Sequence, residues 1–346
     1  MASPCKVLII DDSAFVRKVV RELLSGDPAI EVVGTARDGE EGLRLAEELK
    51  PDVITCDLVM PVLDGVGFVR RQIARRPLPI LILTASPQDA SLVVEALSAG
   101  AVDFMQKPSA LATEQLRAIK AELIEKIRES SGARESTLRA EPAALPSFPP
   151  VAISQNARIE VVVIGISTGG PQALRALLPR FPANFPVPIA IVLHMPVGYT
   201  AAFAEKLNQM SPLEVIEAKD GDILRAGVIL LAPAGRHLTI QRTPQGVPTA
   251  RLSVQPIEKA HRPSVDVLFE SAATAYRSKV LGVVMTGMGD DGKQGAAWIK
   301  SQGGSILTES ENSCVIYGMP RSVVEAGLSD AQIGLDDLAQ QIIKRL

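Results

Sequence analysis

The chain has 346 residues, of which 47% are hydrophobic and 22% are charged, a composition typical of a folded protein with about two domains. The net charge of −3 and the lack of a basic cluster argue against nucleic-acid binding and against a polybasic membrane-binding segment. No apolar run is long enough for a signal-peptide core or a membrane span, so we expect a cytoplasmic protein without membrane insertion. Cys5, Cys56 and Cys314 show no paired spacing and are expected to be reduced core residues.

The first 128 residues alternate regularly between apolar runs and amphipathic segments. The runs predict five strands, at residues 6–10, 30–36, 52–57, 80–85 and 102–106. The intervening segments repeat apolar residues at helical spacing, as in Phe15, Val19 and Leu23. This alternation predicts an α/β domain built on a five-stranded, doubly wound parallel sheet, with any site at the carboxyl ends of the strands.

Acidic residues follow two of these predicted strands. Asp11 and Asp12 come after the first strand and Asp57 ends the third, so three carboxylates would meet at one sheet edge and could bind Mg²⁺. Thr84 and Lys107 end the fourth and fifth strands, where a hydroxyl and a cation could contact a phosphoryl group. The alternative is that the aspartates cap helices and that Lys107 is a solvated charge.

The motifs "LIIDDS", "CDLVMPVLDG", "ILTAS" and "FMQKPS" occur in the order found in receiver domains of two-component response regulators, which residues 5–128 resemble. This resemblance implies a flavodoxin-like fold in which Asp57 accepts phosphate from a histidine kinase. It also implies that Asp11, Asp12 and Asp57 bind Mg²⁺, and that Thr84 and Lys107 respond to phosphorylation. Phe104 occupies the switch position that is often aromatic, although a core phenylalanine explains it equally well.

A segment rich in proline, serine and alanine separates the two halves of the chain. Hydrophobic periodicity is lost between residues 130 and 157, as expected for a partly extended tether. We therefore predict a receiver domain at 1–128, a linker at 129–157 and a second domain at 158–346.

The second half is again α/β but less regular. Strands are predicted at residues 161–166, 189–193, 213–216, 228–231, 238–241, 251–254, 280–285 and 305–307. Four helices are predicted, in "TAAFAEKLNQM", "SVDVLFESAATAYRS", "DGKQGAAWIKSQ" and "GLDDLAQQIIKRL". The hairpin-like middle predicts a mainly parallel sheet with an antiparallel edge.

The stretch "VVVIGISTGGP" places Ser167 in a glycine-rich turn between a strand and a helix. Such a turn either binds a phosphate or presents a nucleophile, as in the G-x-S-x-G pattern of Gly165, Ser167 and Gly169. Dinucleotide binding is disfavoured because Ser167 stands where a glycine is required and no acidic residue follows about twenty positions later.

Two further strands end in residues that could assist a serine nucleophile. His194 ends the strand in "PIAIVLHMP", and Asp290 and Asp291 follow the strand in "KVLGVVMTG". A histidine can take the serine proton and an acid can orient the histidine. The spacing does not distinguish Asp290 from Asp291, and His237 and His261 are weaker candidates. The alternative is a helix-capping serine and a structural histidine.

The motifs "IGISTGGP", "LHMP", "RPSVDVLF" and "TGMGDDG", with the receiver-like domain before them, resemble the chemotaxis protein-glutamate methylesterase (CheB) family over nearly the whole chain. The resemblance implies a triad of Ser167, His194 and Asp291, with Thr168 and Met288 shaping the oxyanion hole and pocket.

The implied reaction is hydrolysis of glutamate γ-methyl esters on the cytoplasmic helices of chemoreceptors, with methanol released. It implies no cofactor for the esterase step, and it leaves open whether receptor glutamines are also deamidated. We also expect the unphosphorylated receiver domain to cover the serine site. The alternatives are the same hydrolase in a non-motility pathway, a phosphorylation-switched binding protein with an idle triad, and a transcriptional regulator, which the absence of a helix-turn-helix pattern disfavours.

Overall fold

The computed structural model describes residues 3–107, 113–131 and 159–346. The chain divides into two compact units, Met1–Ala140 and Glu141–Leu346. The division falls within the predicted linker, most of which (132–157) lies outside the described residues. No helix in the described ranges combines the length and apolar composition needed to cross a membrane.

The first unit is a five-stranded parallel sheet in the order β2-β1-β3-β4-β5, with helices between the strands. This confirms the predicted fold. The strands are β1 (Cys5–Ile10), β2 (Ile30–Ala36), β3 (Val53–Asp57), β4 (Ile80–Thr84) and β5 (Asp103–Gln106). The helices are α1 (Ala14–Leu24), α2 (Gly39–Leu49), α3 (Gly65–Arg75), α4 (Ala90–Ala99) and α5 (Thr113–Ser130).

Side chains of the loops fix where the first three helices begin. Ser13 Oγ accepts from the N–H of Val16, and Asp38 and Asp64 cap α2 and α3 in the same way. The central strand β3 is buried along its whole length, because helices cover both faces of the sheet. The carboxyl ends of the strands and the starts of α1 to α3 therefore share one edge.

The loop after β3 contains a strained residue. Val62 has a φ of 67° and is 82% exposed, and it lies at the centre of a three-residue turn in which Leu63 N donates to Pro61 O (2.8 Å). A β-branched residue is disfavoured at positive φ because its Cβ crowds the backbone. Because Val62 is so exposed, side-chain packing does not offset this strain.

We therefore expect Val62→Asn to raise the free energy of unfolding of the first unit by about 1 kcal/mol, because asparagine tolerates positive φ. Calorimetry of the full-length protein would measure the change, with the transition of the first unit recognised by its shift on adding Mg²⁺. Val59→Asn is the matched control: Val59 is 59% exposed in the same loop and does not have positive φ. Equal stabilisation by both variants would show that strain at Val62 is not the cause.

The second unit contains a seven-stranded sheet in the order β14-β13-β12-β6-β7-β9-β8, and all of its paired strands are parallel. A separate antiparallel pair, β10 and β11, supplies the predicted antiparallel element. The strands of the large sheet are β6 (Val161–Ile166), β7 (Ile189–Leu193), β8 (Glu214–Glu217), β9 (Val228–Leu231), β12 (Val280–Val284), β13 (Ser305–Glu309) and β14 (Ala331–Ile333). The pair consists of β10 (His237–Arg242) and β11 (Pro248–Ser253).

Between residues 159 and 346 the structure shows six α-helices in this unit, and the strand order identifies where a site should form. They are α6 (Gly170–Leu177), α7 (Thr200–Asn208), α8 (Val265–Tyr276), α9 (Lys293–Ser301), α10 (Met319–Glu325) and α11 (Leu335–Ile343). From β6 the chain proceeds to β7 on one side, whereas β12 and β13 lie on the other. Open α/β sheets bind ligands at the carboxyl ends of strands where the order reverses in this way. The ends of β6 and β12 are thus the expected location.

Candidate functional site

Four charged side chains meet at the carboxyl edge of the first sheet. Ligand oxygens of Asp11, Asp12 and Asp57 lie within 4.8 Å of one another. Lys107 Nζ is 2.7 Å from Asp11 Oδ2 and 2.7 Å from Asp57 Oδ2. Ser13, not an aspartate, caps α1. Clustered carboxylate oxygens are the ligands that Mg²⁺ prefers, so the residues present fit this cation.

Burial sets the electrostatics of this cluster. Burial raises the pKa of Asp57, and the contacts with Lys107 only partly oppose this rise. Burial alone would lower the pKa of Lys107, but its hydrogen bonds to Asp11 and Asp57 outweigh that effect and raise it. With three carboxylates and one ammonium group, the cluster carries excess negative charge that a divalent cation would offset.

The two remaining predicted switch residues lie on neighbouring strands. Thr84 ends β4 with its hydroxyl 3.3 Å from Ser86 O and 3.4 Å from Asp89 Oδ2, so it is oriented toward the following loop. Phe104 is buried in β5, where it pairs with Ile82 of β4. The structure therefore brings Asp11, Asp12, Asp57 and Lys107 into one cluster, and the switch roles of Thr84 and Phe104 stay predictions.

Three adjacent strands deliver the predicted triad residues to one edge of the second sheet. Ile166 of β6 pairs with Leu193 of β7, so the next residues, Ser167 and His194, leave the sheet side by side. The backbone N–H of His194 donates to Ile166 O (3.1 Å). Asp291 follows β12, the other neighbour of β6, and its Oδ2 accepts from His194 Nε2 at 2.8 Å.

Asp291 is held by the start of helix α8. Its Oδ1 accepts from Ser264 Oγ (2.9 Å) and from the N–H of Asp266 (3.0 Å), and its Oδ2 also accepts from the N–H of Val265 (2.8 Å). Burial alone would raise the pKa of Asp291, but the hydrogen bond from His194 and these donors hold it well below its usual range. A carboxylate is also favoured at a helix N-terminus.

Asp290 has a different environment from its neighbour. Its side chain is 70% exposed and forms a 2.9 Å ion pair with Lys293 in the first turn of α9. It makes no contact with His194 that the structure shows within the described ranges. The geometry therefore favours Asp291 over Asp290 as the partner of His194, a choice that the sequence pattern left open.

Among the residues that the structure describes, two backbone N–H groups of the turn after β6 have no acceptor. Gly169 has a φ of 79°, which allows the chain to turn sharply into α6. Gly170 N donates to Ser167 O (2.7 Å), whereas the N–H groups of Thr168 and Gly169 donate to no acceptor in the described part of the chain. Unpaired N–H groups beside a nucleophile can stabilise an oxyanion. Thr168 is buried, and Met288 is partly buried beyond Gly287.

His194 has one ring nitrogen left to act as a base. Because Nε2 donates to Asp291, the lone pair is on Nδ1, which is buried and has no hydrogen-bond partner in the described residues. No hydrogen bond joins Ser167 Oγ to His194 in this structure; such contacts often tighten only when substrate binds. The arrangement can therefore support nucleophilic attack by serine with histidine as base.

Comparison with known proteins identifies the family. The family model described as "CheB methylesterase" matches residues 162–342, more than half of the chain. This chain belongs to the CheB methylesterase family. The model described as "Response regulator receiver domain" matches residues 7–119, in agreement with the predicted receiver domain.

Relatives of this CheB chain match it over nearly its whole length. One from Myxococcus xanthus, named "Protein-glutamate methylesterase/protein-glutamine glutaminase 5", is 49% identical over 98% of this chain and 97% of its own. A second relative with the same enzyme name, from Halalkalibacterium halodurans, is 40% identical over 100% of this chain and 99% of its own. The crystal structure of the Thermotoga maritima CheB methylesterase catalytic domain matches with a TM-score of 0.53 and 38% identity, covering 54% of this chain and 99% of that one.

Sequence reasoning missed the contact of Ser264 with Asp291, and it treated as weaker candidates two histidines that the structure places nearby. Ser264 lies in the "RPSV" motif immediately before the apolar helix α8, a pattern that indicates a helix cap but did not reveal its bond to Asp291. His261, treated as a weaker candidate, stacks on His194 with ring centroids 4.1 Å apart. His237 is fully buried, and its Nδ1 accepts from the N–H of Ser264 (3.2 Å). All three histidines of the chain are thus near Asp291.

Proposed function

We propose that this protein is a phosphorylation-activated hydrolase that demethylates glutamate γ-methyl esters of chemoreceptors, releases methanol, and also deamidates receptor glutamines. The names of the relatives and the match to a receiver domain support the activity and its control. The observation that carries the proposal is the bond from His194 to Asp291 beside Ser167, at the ends of three adjacent strands. We further propose that it acts in the cytoplasm, on the cytoplasmic helices of these receptors.

In the proposed reaction, Ser167 Oγ attacks the γ-carbonyl carbon of the substrate and its proton passes to Nδ1 of His194. The N–H groups of Thr168 and Gly169 would hold the resulting oxyanion, and Met288 would line the pocket. Collapse of the tetrahedral intermediate breaks the bond to the methoxy group, which leaves as methanol with the proton from His194. For a glutamine substrate the leaving group is ammonia.

Hydrolysis of the acyl-enzyme would complete the cycle. A water molecule gives a proton to His194 and attacks the ester carbon, after which the proton returns to Ser167 and glutamate is released. Asp291 keeps the histidine in the correct tautomer through both halves of the reaction. These steps require only protein groups and water.

In the first unit, Asp57 would accept a phosphoryl group from a histidine kinase, forming an acyl phosphate and freeing the histidine. Mg²⁺ held by Asp11, Asp12 and Asp57 would neutralise the phosphoryl oxygens, and Lys107 and Thr84 would contact the same oxygens. Phe104 would respond to this change as the switch residue. Phosphorylation would then raise the activity of the second unit.

Methanol release from methylated receptor-bearing membranes tests this function. We expect release by the wild-type protein and a severalfold increase with acetyl phosphate and Mg²⁺. Release of ammonia from receptors with glutamine at the same positions would test deamidation. If methanol release is absent with and without the phosphodonor, the assigned reaction is wrong, and a phosphorylation-switched binding protein becomes the better interpretation.

Asp57→Asn separates the switch from the catalytic chemistry. We expect this variant to keep the basal rate of methanol release and to lose the increase with acetyl phosphate, because an amide cannot accept the phosphoryl group. Asp52→Asn is the matched control, since Asp52 is exposed before β3, at its opposite end. Activation that persists in Asp57→Asn would show that Asp57 is not the phosphate acceptor.

A further inference from the structure

A buried carboxyl group that the proposed mechanism does not use lies behind the turn of Ser167. Glu309 is the last residue of β13 and is completely buried. Its Oε2 accepts from the N–H of Thr286 (2.9 Å), and its Oε1 accepts from Ser313 Oγ (3.0 Å). Ionisable side chains are rarely buried completely, and those that are buried form hydrogen bonds. The hydrogen bonds of Glu309 therefore show which parts of the protein it can influence.

Thr286 connects this carboxyl group to the nucleophile turn by two separate hydrogen bonds. The N–H of Ser167 donates to Thr286 O (3.0 Å), and Thr286 Oγ1 is 3.0 Å from Thr168 O, to which it can donate. The residue after Thr286 packs closely against the nucleophile, because a Cβ on Gly287 would lie 2.7 Å from Cβ of Ser167. The position of Thr286 thus determines the backbone position of both Ser167 and Thr168.

We propose that Glu309 is a positioning residue for the reaction: through Thr286 it holds Ser167 and Thr168 in their reactive geometry, and it does so more firmly as a carboxylate than as a neutral acid. This inference rests on the proposed function of Ser167. The physical reason is that an N–H donor binds an ionised oxygen more strongly than a neutral one. Small displacements of a nucleophile can lower the rate by a large factor.

The neutral form has a satisfied alternative arrangement. A protonated Oε1 can donate to Ser313 Oγ, whose own proton can then go to Ser310 O, 3.3 Å away. Oε2 would still accept from Thr286, but as a neutral oxygen. The two forms therefore differ in how strongly they hold Thr286, and neither leaves a buried group unpaired.

The surroundings of Glu309 allow both forms near neutral pH. Burial raises its pKa to about 7, and the hydrogen bonds from Thr286, Ser313 and Cys314 oppose this rise. Thr286, in the loop after β12, and Ile333, the strand partner of Glu309 in β14, both contact it and do not titrate. In the following loop, Glu309 faces the thiol of Cys314. Burial raises the pKa of this thiol, and the negative charge of Glu311 raises it further.

Glu309→Gln tests the proposal because glutamine reproduces the neutral acid. Its amide oxygen can accept from Thr286 and its NH₂ can donate to Ser313 Oγ. With the phosphorylated full-length protein and saturating methylated receptor, we expect kcat of this variant to equal that of the wild type at pH 6 and to be about fivefold lower above pH 8, with KM unchanged. Glu311→Gln, which removes an exposed charge two residues away, should track the wild type at every pH.

A second variant tests the direction of the effect. Ser313→Ala removes a hydrogen bond that lowers the pKa of Glu309, so this variant should have a higher pKa at Glu309. The pH at which its kcat rises should therefore be higher than in the wild type. A ratio of Glu309→Gln to wild-type kcat that is constant across pH would overturn the proposal, since a purely structural role predicts such a constant ratio. So would an unchanged pH profile in Ser313→Ala.

A readout independent of the natural substrate separates this proposal from the assigned function. A fluorophosphonate reacts with an activated serine, forming an Oγ–P bond and releasing fluoride, and mass spectrometry gives the rate of labelling at Ser167. We expect the same pH-dependent ratio in this rate. If the labelling-rate ratio depends on pH but the wild-type protein releases no methanol, Glu309 positions Ser167 and the substrate assignment is wrong. If methanol is released but neither the labelling-rate ratio nor the kcat ratio depends on pH, only the role of Glu309 is wrong.

Discussion

Replacing Ser167 by alanine is expected to lower kcat for methanol release by a factor of about 10⁴ or more. The acyl-enzyme cannot form without this hydroxyl, and the hydroxyl of the neighbouring residue, Thr168, is buried. The N–H groups of Thr168 and Gly169 stay in place, so a small residual rate from direct attack by water is expected. The loss should affect kcat and kcat/KM together, because the missing group acts in the transition state.

The control for Ser167→Ala is the same substitution at a serine far from the proposed site. Ser301 lies exposed at the end of α9, and Ser301→Ala should keep wild-type activity. The melting temperature of Ser167→Ala should also stay close to that of the wild type, since Ser167 Oγ forms no hydrogen bond in the described part of the chain. If purified Ser167→Ala kept more than about a hundredth of wild-type activity, Ser167 would not be the nucleophile.

The sequence predicted the location of the site because strand and helix periods alternate so regularly. Once residues 161–166, 189–193 and 280–285 are identified as parallel strands, the residues that follow them must share one sheet edge. Ser167, His194 and the aspartate pair meet this condition. The structure adds that β12, β6 and β7 are adjacent, which strand spacing along the chain does not reveal.

Contacts between distant segments account for what the sequence did not predict. The choice of Asp291 depends on donors from Ser264, Val265 and Asp266, which lie about 25 residues earlier in the chain. The stacking of His261 on His194 likewise brings together two loops. No local pattern encodes such contacts, because they depend on how the loops after β11 and β12 pack.

Two short elements were absent from the predicted set for a local reason. Strand β14 has three residues, all half-buried or exposed, and joins the sheet at its edge. Helix α10 has seven residues and begins with Met319 and Pro320 after a glycine. Segments this short give too few residues to establish a period of 2 or 3.6. Helix α10 packs Met319 near Gly287, so even this short element contributes to the site.

Substituting Asp291 by asparagine is expected to lower kcat by about 10⁴-fold, whereas Asp290→Asn should change it by less than about twofold. The carboxylate of Asp291 accepts from four donors, two at each oxygen. An asparagine NH₂ at the Oδ2 position would face the N–H of Val265 and force His194 to present a lone pair from Nε2. The proton would then be on Nδ1, and the histidine could not take the proton of Ser167.

The opposite orientation of the amide is no better. An NH₂ at the Oδ1 position would face the N–H of Asp266 and leave a buried donor unpaired, so we also expect a loss of about 2 kcal/mol in the free energy of unfolding of the second unit. Calorimetry and methanol release on Asp290→Asn and Asp291→Asn measure both effects. Because Asp290 is exposed and paired only with Lys293 in the described structure, its substitution isolates the effect of removing one negative charge. Equal losses in the two variants would mean that local charge, and not the tautomer of His194, governs the rate.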